Sequence, residues 1–215
     1  MPKDGYFLHQ DILDALRTRI CLTPPEESFP LQESALGREF DVSRTPVRQV
    51  LQTLAREHLV DIRPSVGATV TRLSPSSKSE CFTLYRDLTA IAATLAEGKP
   101  LHRRTTMEFA SVMGILQSDP ELNTELYVTL AVRIQMAVSL VIEDQILFDA
   151  LLAAFWRVIR WRVQDLDRDP EMHWGRFLSN VRETADSTAS GDPAHVLRTI
   201  AGVTDKMVTL QRTQP

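Results

Sequence analysis

Apolar residues recur three and four positions apart along most of the chain, the helical period, and alternate in only one short stretch. Over residues 7–21, Phe7, Leu8, Ile12, Leu13, Leu16 and Ile20 form a stripe that ends ahead of Pro24 and Pro25, which predicts a first helix. A short second helix is expected over residues 32–40, buried through Ala35, Leu36 and Phe40, with Asp41 and Val42 as a turn. The third helix is expected over residues 44–58. Ser43 offers it a hydroxyl as N-cap, and Pro46 sits in the first turn, where a missing N–H costs nothing. Its buried stripe of Val47, Val50, Leu51, Leu54 and Ala55 leaves Arg44, Thr45, Arg48, Gln49 and Gln52 on other faces. Leu59, Val60 and Ile62 then alternate as a strand, Gly67 supplies a hairpin turn, and residues 68–73 return as a second strand. This order of elements predicts a winged helix-turn-helix.

Residues 74–79, SPSSKS, have the only linker-like composition in the interior, so the pattern divides the chain into residues 1–73, a linker over 74–79, and residues 80–215. The second part reads as helices at 80–97, 105–117, 123–142, 145–165, 171–189 and 193–212, the last capped by Asp192 with Pro193 at its first position. Short connections between six helices imply an antiparallel bundle. The expected fold class is mainly α: an N-terminal winged helix-turn-helix domain followed by an all-α helical bundle.

The 215 residues are 43% apolar, enough for a real core, and carry a formal net charge of -4, so no global positive field draws the molecule to nucleic acid. Any such contact has to come from a local patch. Between residues 38 and 72 there are six arginines against four acids, and the excess gathers at the start of the third helix. Cys21 and Cys81 have no second thiol or histidine at metal-like spacing and read as idle thiols in a reducing compartment. With no signal-peptide run at the N-terminus and no long apolar span, a cytoplasmic location is expected.

In a winged helix the third helix enters the major groove by its N-terminal end, and the wing lies against the neighbouring backbone. Arg44 and Arg48, four residues apart on one face, can each take guanine O6 and N7 in a bidentate pair. Thr45 and Gln49 can add polar or methyl contacts beside them. Arg38, on the second helix, is placed for phosphate, and Gly67 lets the wing backbone approach the duplex closely. The alternative is that these arginines form a solvated face on a protein-binding winged helix.

The segment ESALGREFDVSRTPVRQVLQTLAREHLVDIRPSVGATV, with its intact VSRTPVR core, resembles the DNA-binding domain of the GntR family of bacterial transcription regulators. The resemblance covers residues 8–73. It implies operator contacts by Arg44, Thr45 and Arg48, with Ser34 at the start of the second helix and Gly67 in the wing as further contacts.

The helical remainder is similar to the FadR branch and its FCD-type effector domain. That likeness rests on helix count, on LYRDLTAIAATLAEG as opening helix and on the Gly191–Pro193 turn. Many such domains bind a divalent metal, and the resemblance puts Ala131, Gln135, Val181 and Val203 at the four ligand positions. None is a good metal ligand. Of the histidines, His9 and His58 fall in the first part, and His102, His173 and His195 have no chelating partner one turn away and read as surface or capping residues. The expectation is a bundle without metal or other cofactor, its pocket lined by apolar side chains at the old ligand positions. By the same resemblance Arg86 faces that cavity and clamps an anionic effector, the alternative being an ion pair with a neighbouring acid. Gln135 either supplies one hydrogen bond there or edges a buried stripe. Phe148, Phe155, Trp156 and Trp161, at helical intervals, read as core or dimer interface before ligand box.

The function these features imply is a sequence-specific, homodimeric transcription regulator acting on a double-stranded DNA operator. A small-molecule effector, a carboxylate or an apolar compound, modulates it by releasing the DNA or by promoting binding. The rival within the same fold is an effector-independent DNA-binding or protein-interaction module. An enzyme is disfavoured, since no nucleophile motif, phosphate loop or carboxylate–histidine cluster appears.

Overall fold

The computed structural model describes residues 5–63, 67–118 and 120–213, the side chains of 5–8 and 207–213 excepted. Residues 64–66, ahead of the Gly67 expected at the hairpin turn, and the side chains of Phe7 and Leu8 therefore lie outside the described residues, and Gly67 itself opens β3 opposite Arg63. Nine helices and three strands are seen among them: α1 Gly5–Leu22, β1 Pro30–Leu31, α2 Glu33–Glu39, α3 Arg44–Arg56, β2 Val60–Arg63, β3 Gly67–Val70, α4 Lys78–Leu95, α5 Arg103–Gln117, α6 Thr124–Ser139, α7 Gln145–Arg168, α8 Pro170–Ser187 and α9 Pro193–Thr213.

The first helices follow the apolar pattern. Ile12, Leu16 and Ile20 of α1, Leu36 of α2 and Val47, Val50, Leu51 and Leu54 of α3 close one core. The α2–α3 turn is tight because Asp41 adopts a left-handed φ of 54° and the Val42 amide donates to the Gly37 carbonyl at 2.9 Å. A Cβ on Gly37 would stand 3.0 Å from the Val42 carbonyl oxygen, so the close turn depends on that glycine. Ser43 holds the N-cap position with an extended backbone, but its hydroxyl makes no capping bond, unlike the expected cap.

The wing is a three-stranded sheet in the order β1-β3-β2, with Pro30 opposite Thr69 and Ile62 opposite Ala68. The pattern gave no sign of β1. Two residues are too few to show alternation, and they become a strand only because β3 offers an unpaired edge.

The later helices lie within about three residues of their expected bounds, and side chains set several of their starts. The Asn123, Asp144 and Asp169 side chains accept from the amides of Leu126, Leu147 and Met172. Asp192 accepts from Ala194 as expected. His102 caps α5 through Nδ1, which accepts the Arg104 amide at 3.1 Å. In the bundle α4 packs most extensively on α9 and next on α7.

Helix α7 also carries the winged part. Arg160, 1% exposed, donates from Nη1 to the Thr71 carbonyl at 2.6 Å and from Nη2 to the Pro25 carbonyl at 3.1 Å. The Trp156 ring receives the Arg17 guanidinium 5.2 Å from its centroid, and Arg17 grips Glu57, the C-cap of α3, from Nε at 3.0 Å. Lys78 pairs with Asp165 and lies over Trp161. The SPSSKS segment is thus no slack tether: Pro75–Ser77 form a 3-10 turn that runs straight into α4. Of the four aromatics on α7, Trp156, Trp161 and Phe155 are core, with Trp156 against Arg17 of α1 and Trp161 against Lys78 of α4, and Phe148 is half-buried.

Candidate DNA interface and bundle cavity

Helix α3 is strongly two-faced, and burying its valine and leucine stripe against α1 fixes which side chains remain outside. Arg44, Thr45, Arg48 and Gln49 are all exposed in its first two turns. Arg38 is exposed on α2, Ser34 is half-buried near the start of α2, and Gly67 opens β3 with a φ of 95°, a conformation other residues adopt only under strain. The residues expected at a DNA surface therefore sit on one helix-turn-helix and its wing.

Pattern reasoning missed Glu33. Its carboxylate takes Arg48 in a two-point pair, Nε to Oε1 and Nη2 to Oε2, each at 2.9 Å. The hydrogen bond from Arg48 holds the Glu33 carboxyl below the usual carboxylate range, with Arg44 adding to the same field. Both partners face solvent, so the pair acts on geometry more than on stability. It fixes the guanidinium plane of Arg48, while Arg44, one turn earlier, keeps a freer reach. The signal available in the sequence was an acid in the first turn of α2, which helix-dipole reasoning alone also explains.

A second feature lies inside the bundle. A cavity of about 70 Å³ is lined by residues of α4 to α9, among them Ala131, Gln135, Val181 and Val203. The four positions the resemblance singled out thus converge on one space, three of them apolar. Tyr85 donates its hydroxyl to Gln135 Oε1 at 2.6 Å, and Gln135 Nε2 donates to Ser139 at 3.1 Å, so Gln135 is a partnered cavity residue. Burial pushes the Tyr85 hydroxyl up to about 12.

Arg86 departs from the expected clamp. It does not line the cavity, and its guanidinium is held on the outside by Asp87 at 2.8 Å and Asp205 of α9 at 2.6 Å. Periodicity placed α4 against the bundle without saying which side of Arg86 met acids. Arg162 of α7 lines the cavity in its place. His173, expected at the surface or at a cap, also lines it, and burial lowers its basicity. Among the described residues no cluster of three or more His, Cys, Asp or Glu gathers to hold a metal ion. Both cysteines are buried free thiols, and burial pushes Cys21 up to about 12, which keeps it protonated and inert. No helix among the described residues is long and apolar enough to cross a membrane.

Comparison with known proteins agrees with this geometry. Residues 8–70 match the family described as bacterial regulatory proteins, gntR family. Over 73 residues the chain is 37% identical to an HTH-type transcriptional regulator in an unstable DNA locus of Streptomyces ambofaciens, covering 34% of this chain and 31% of that protein. Over 69 residues it is 39% identical to the HTH-type transcriptional repressor RspR of Escherichia coli, covering 31% of this chain and 29% of the repressor. The aligned stretch thus spans about a third of the length of the curated relatives it matches. Likeness of fold reaches much further. The structure of E. coli McbR/YncC superposes with a TM-score of 0.68 at 15% identity, covering 96% of this chain and 99% of that one. A GntR transcriptional regulator from Rhodococcus sp. RHA1 superposes at 0.63 with 16% identity and the same coverage. The overall fold is mainly helical with a small winged sheet, and residues 8–70 form a helix-turn-helix domain of the gntR type.

Proposed function

We propose that this protein is a transcription regulator that binds a pseudo-palindromic DNA operator as a homodimer. Residues 1–73 serve as reader, 74–79 as connection, and 80–215 as an FCD-like bundle for dimerisation and effector sensing. The observation that carries the reading is the exposed pair Arg44 and Arg48 at the leading end of α3, on a segment that matches gntR regulatory proteins. Arg44 and Arg48 read base edges, with Thr45 and Gln49 beside them. Arg38, Ser34 and the Gly67 backbone position the reader on phosphate. A cytoplasmic location follows from that role.

Dimerisation is supported by an apolar face on the bundle. Leu84, Leu88, Ile91 and Leu95 recur along one side of α4, and Leu84, Ile91 and Leu95 are 43%, 50% and 56% exposed. Ile146, 81% exposed, begins a parallel stripe on α7 continued by Ala150 and Ala153, and a groove lined by Leu84, Leu88, Ala150 and Ala153 joins the two helices. An apolar surface of this kind is costly in water and is relieved by a second copy. Two linked readers then add their binding energies, and their separation sets the half-site spacing.

The bundle cavity is the effector site of this reading, and α7 is the element through which occupancy reaches the reader. The helix lines the cavity with Phe155 and Arg162 and holds the winged part with Trp156 and Arg160. An effector that prefers one setting of α7 shifts the readers by its difference in affinity for the two settings, typically 1 to 3 kcal/mol. Selection of genomic fragments by the purified protein, followed by footprinting, tests the function. A shared inverted repeat protected on both halves is expected. Enrichment of no sequence, with the protein folded, would refute it.

A further inference from the structure

The polar groups around the bundle cavity are largely engaged with one another. Tyr85 donates to Gln135 Oε1 at 2.6 Å and Gln135 Nε2 donates to Ser139 at 3.1 Å, so both ends of that amide already hold a partner. The Thr184 and Thr204 hydroxyls donate to the carbonyls of Asn180 at 2.8 Å and Ile200 at 2.9 Å, within their own helices. Arg162 is engaged as well: its guanidinium lies 5.7 Å over the Phe82 ring and is hydrogen-bonded to the Tyr127 hydroxyl. Among the described lining residues there is no aspartate or glutamate, and burial disfavours the charged form of His173.

The rest of the wall is hydrocarbon. Phe109, Ile134 and Ile200 line it, and Tyr85 and Tyr127 pack their rings on Phe155 and Phe177 at centroid distances of 6.2 and 4.6 Å. Where the family resemblance would put metal ligands stand Ala131, Val181 and Val203, beside the engaged Gln135. An anion entering here has to break contacts that Arg162 already makes, and a cation meets that guanidinium with no lining carboxylate to offset it. Either ion gives up its hydration without a matching group, which costs far more than burying a neutral group of the same size. A neutral apolar body escapes that cost and gains from leaving water.

Resting on the effector reading above, we propose that the cavity takes a compact neutral molecule with an apolar body, of the class of short-chain alcohols, ketones and esters, and takes it without a metal ion. The size agrees: about 70 Å³ holds about five water-sized groups, fewer than a benzene ring needs. Ala131, Val181 and Val203 accept the hydrocarbon, and Asn180 and His173, half-buried in the same lining, are the side chains that can meet a single hydroxyl or carbonyl.

The test uses the full-length protein with 1-butanol, butyrate and n-butylammonium, which share one alkyl length and differ in charge, at matched ionic strength. Calorimetric titration and ligand-observed NMR are read with and without a chelator. Butanol is expected to bind about ten-fold or more tightly than either ion, as the cost of burying an unmatched charge implies, and the chelator is expected to change nothing. Ala131→Leu, which fills the space at a former ligand position, should weaken butanol about ten-fold or more, with circular dichroism confirming the fold. If that variant does not fold, butanol should shift the methyl resonances of Val181 and Val203 in the unaltered protein. Equal or tighter binding of either ion, loss of binding on chelation, full butanol affinity in folded Ala131→Leu, or shifts confined to other residues would each overturn the proposal. So would absence of butanol binding, and if operator binding then survived, the DNA-reading function would stand alone. Butanol that binds as expected but leaves operator affinity unchanged would uphold the ligand class and refute the effector role.

Discussion

Replacing Arg160 by methionine is the sharpest probe of how the reader is fixed to the bundle. The side chain is 1% exposed, and its two bonds, at 2.6 and 3.1 Å, run to carbonyls of Thr71 and Pro25, on the far side of the junction. Hydrogen bonds from a charged group contribute about 1.5–3 kcal/mol each. Against that stands the cost of burying a guanidinium, visible in the way burial lowers the basicity of Arg160. Methionine fills much of the volume and removes the buried charge. The Pro25 carbonyl keeps the Leu73 amide at 2.8 Å, but the Thr71 carbonyl loses its donor. The expected net loss is the cost of about one orphaned carbonyl plus part of the second bond, about 2–3 kcal/mol. For a chain of this size that corresponds to a fall in Tm of roughly 4–12 °C. Urea unfolding should be followed in parallel by tryptophan fluorescence in a Trp174→Phe background, since Trp156 lies against Arg17 of the winged part and Trp161 against Lys78 at the start of α4, and by far-ultraviolet circular dichroism. In Arg160→Met the fluorescence transition should move to lower urea and precede the loss of helix. A change below about 0.5 kcal/mol, the range of ordinary surface substitutions, with coincident transitions would refute the view that α7 clamps the reader.

Arg44→Ala and Arg48→Ala should each cost about 1–3 kcal/mol in operator binding and relax base preference, whereas Arg38→Ala should weaken all duplexes alike; competition assays on single-base operator variants distinguish these patterns. Glu33→Gln, which loosens Arg48, should lower the ratio of operator to random-duplex affinity in the same assay, and an unchanged ratio would count against its positioning role. Leu84→Asp combined with Ile91→Asp should convert the proposed dimer to monomer in sedimentation, while a dimer that survives both substitutions would move the interface elsewhere. Burial lowers His173 below its ordinary 6.5, so the unfolded chain binds more protons as the pH falls through about that value and stability decreases; His173→Asn should flatten the slope of stability just below pH 6.5.

Much of this architecture could be read from residue order. The apolar stripe of α3 set its buried face and its extent to within two residues, because a helix face is written in every third or fourth residue. The exposure of the candidate DNA-contact residues was legible for the same reason: once Val47, Val50 and Leu54 point inward, Arg44 and Arg48 must point out. What stayed hidden depends on partners distant in sequence. Nothing local distinguishes Arg86, which meets Asp205 from 119 residues away, from Arg162, which turns into the cavity. Strand β1 exists only through its pairing with β3. Arg160 looks like any arginine on an amphipathic helix until the Pro25 and Thr71 carbonyls fold against it.

The role of the paired recognition helices is tested most directly by fluorescence anisotropy of the full-length protein on its best-selected duplex and on a scrambled duplex, titrated across a range of salt. Tight binding to the selected duplex by two protomers is expected, falling linearly in log–log form with salt, with preference over the scrambled duplex kept throughout. Identical curves for both duplexes at every salt concentration would contradict base reading by Arg44 and Arg48, and with it the regulator assigned to this chain.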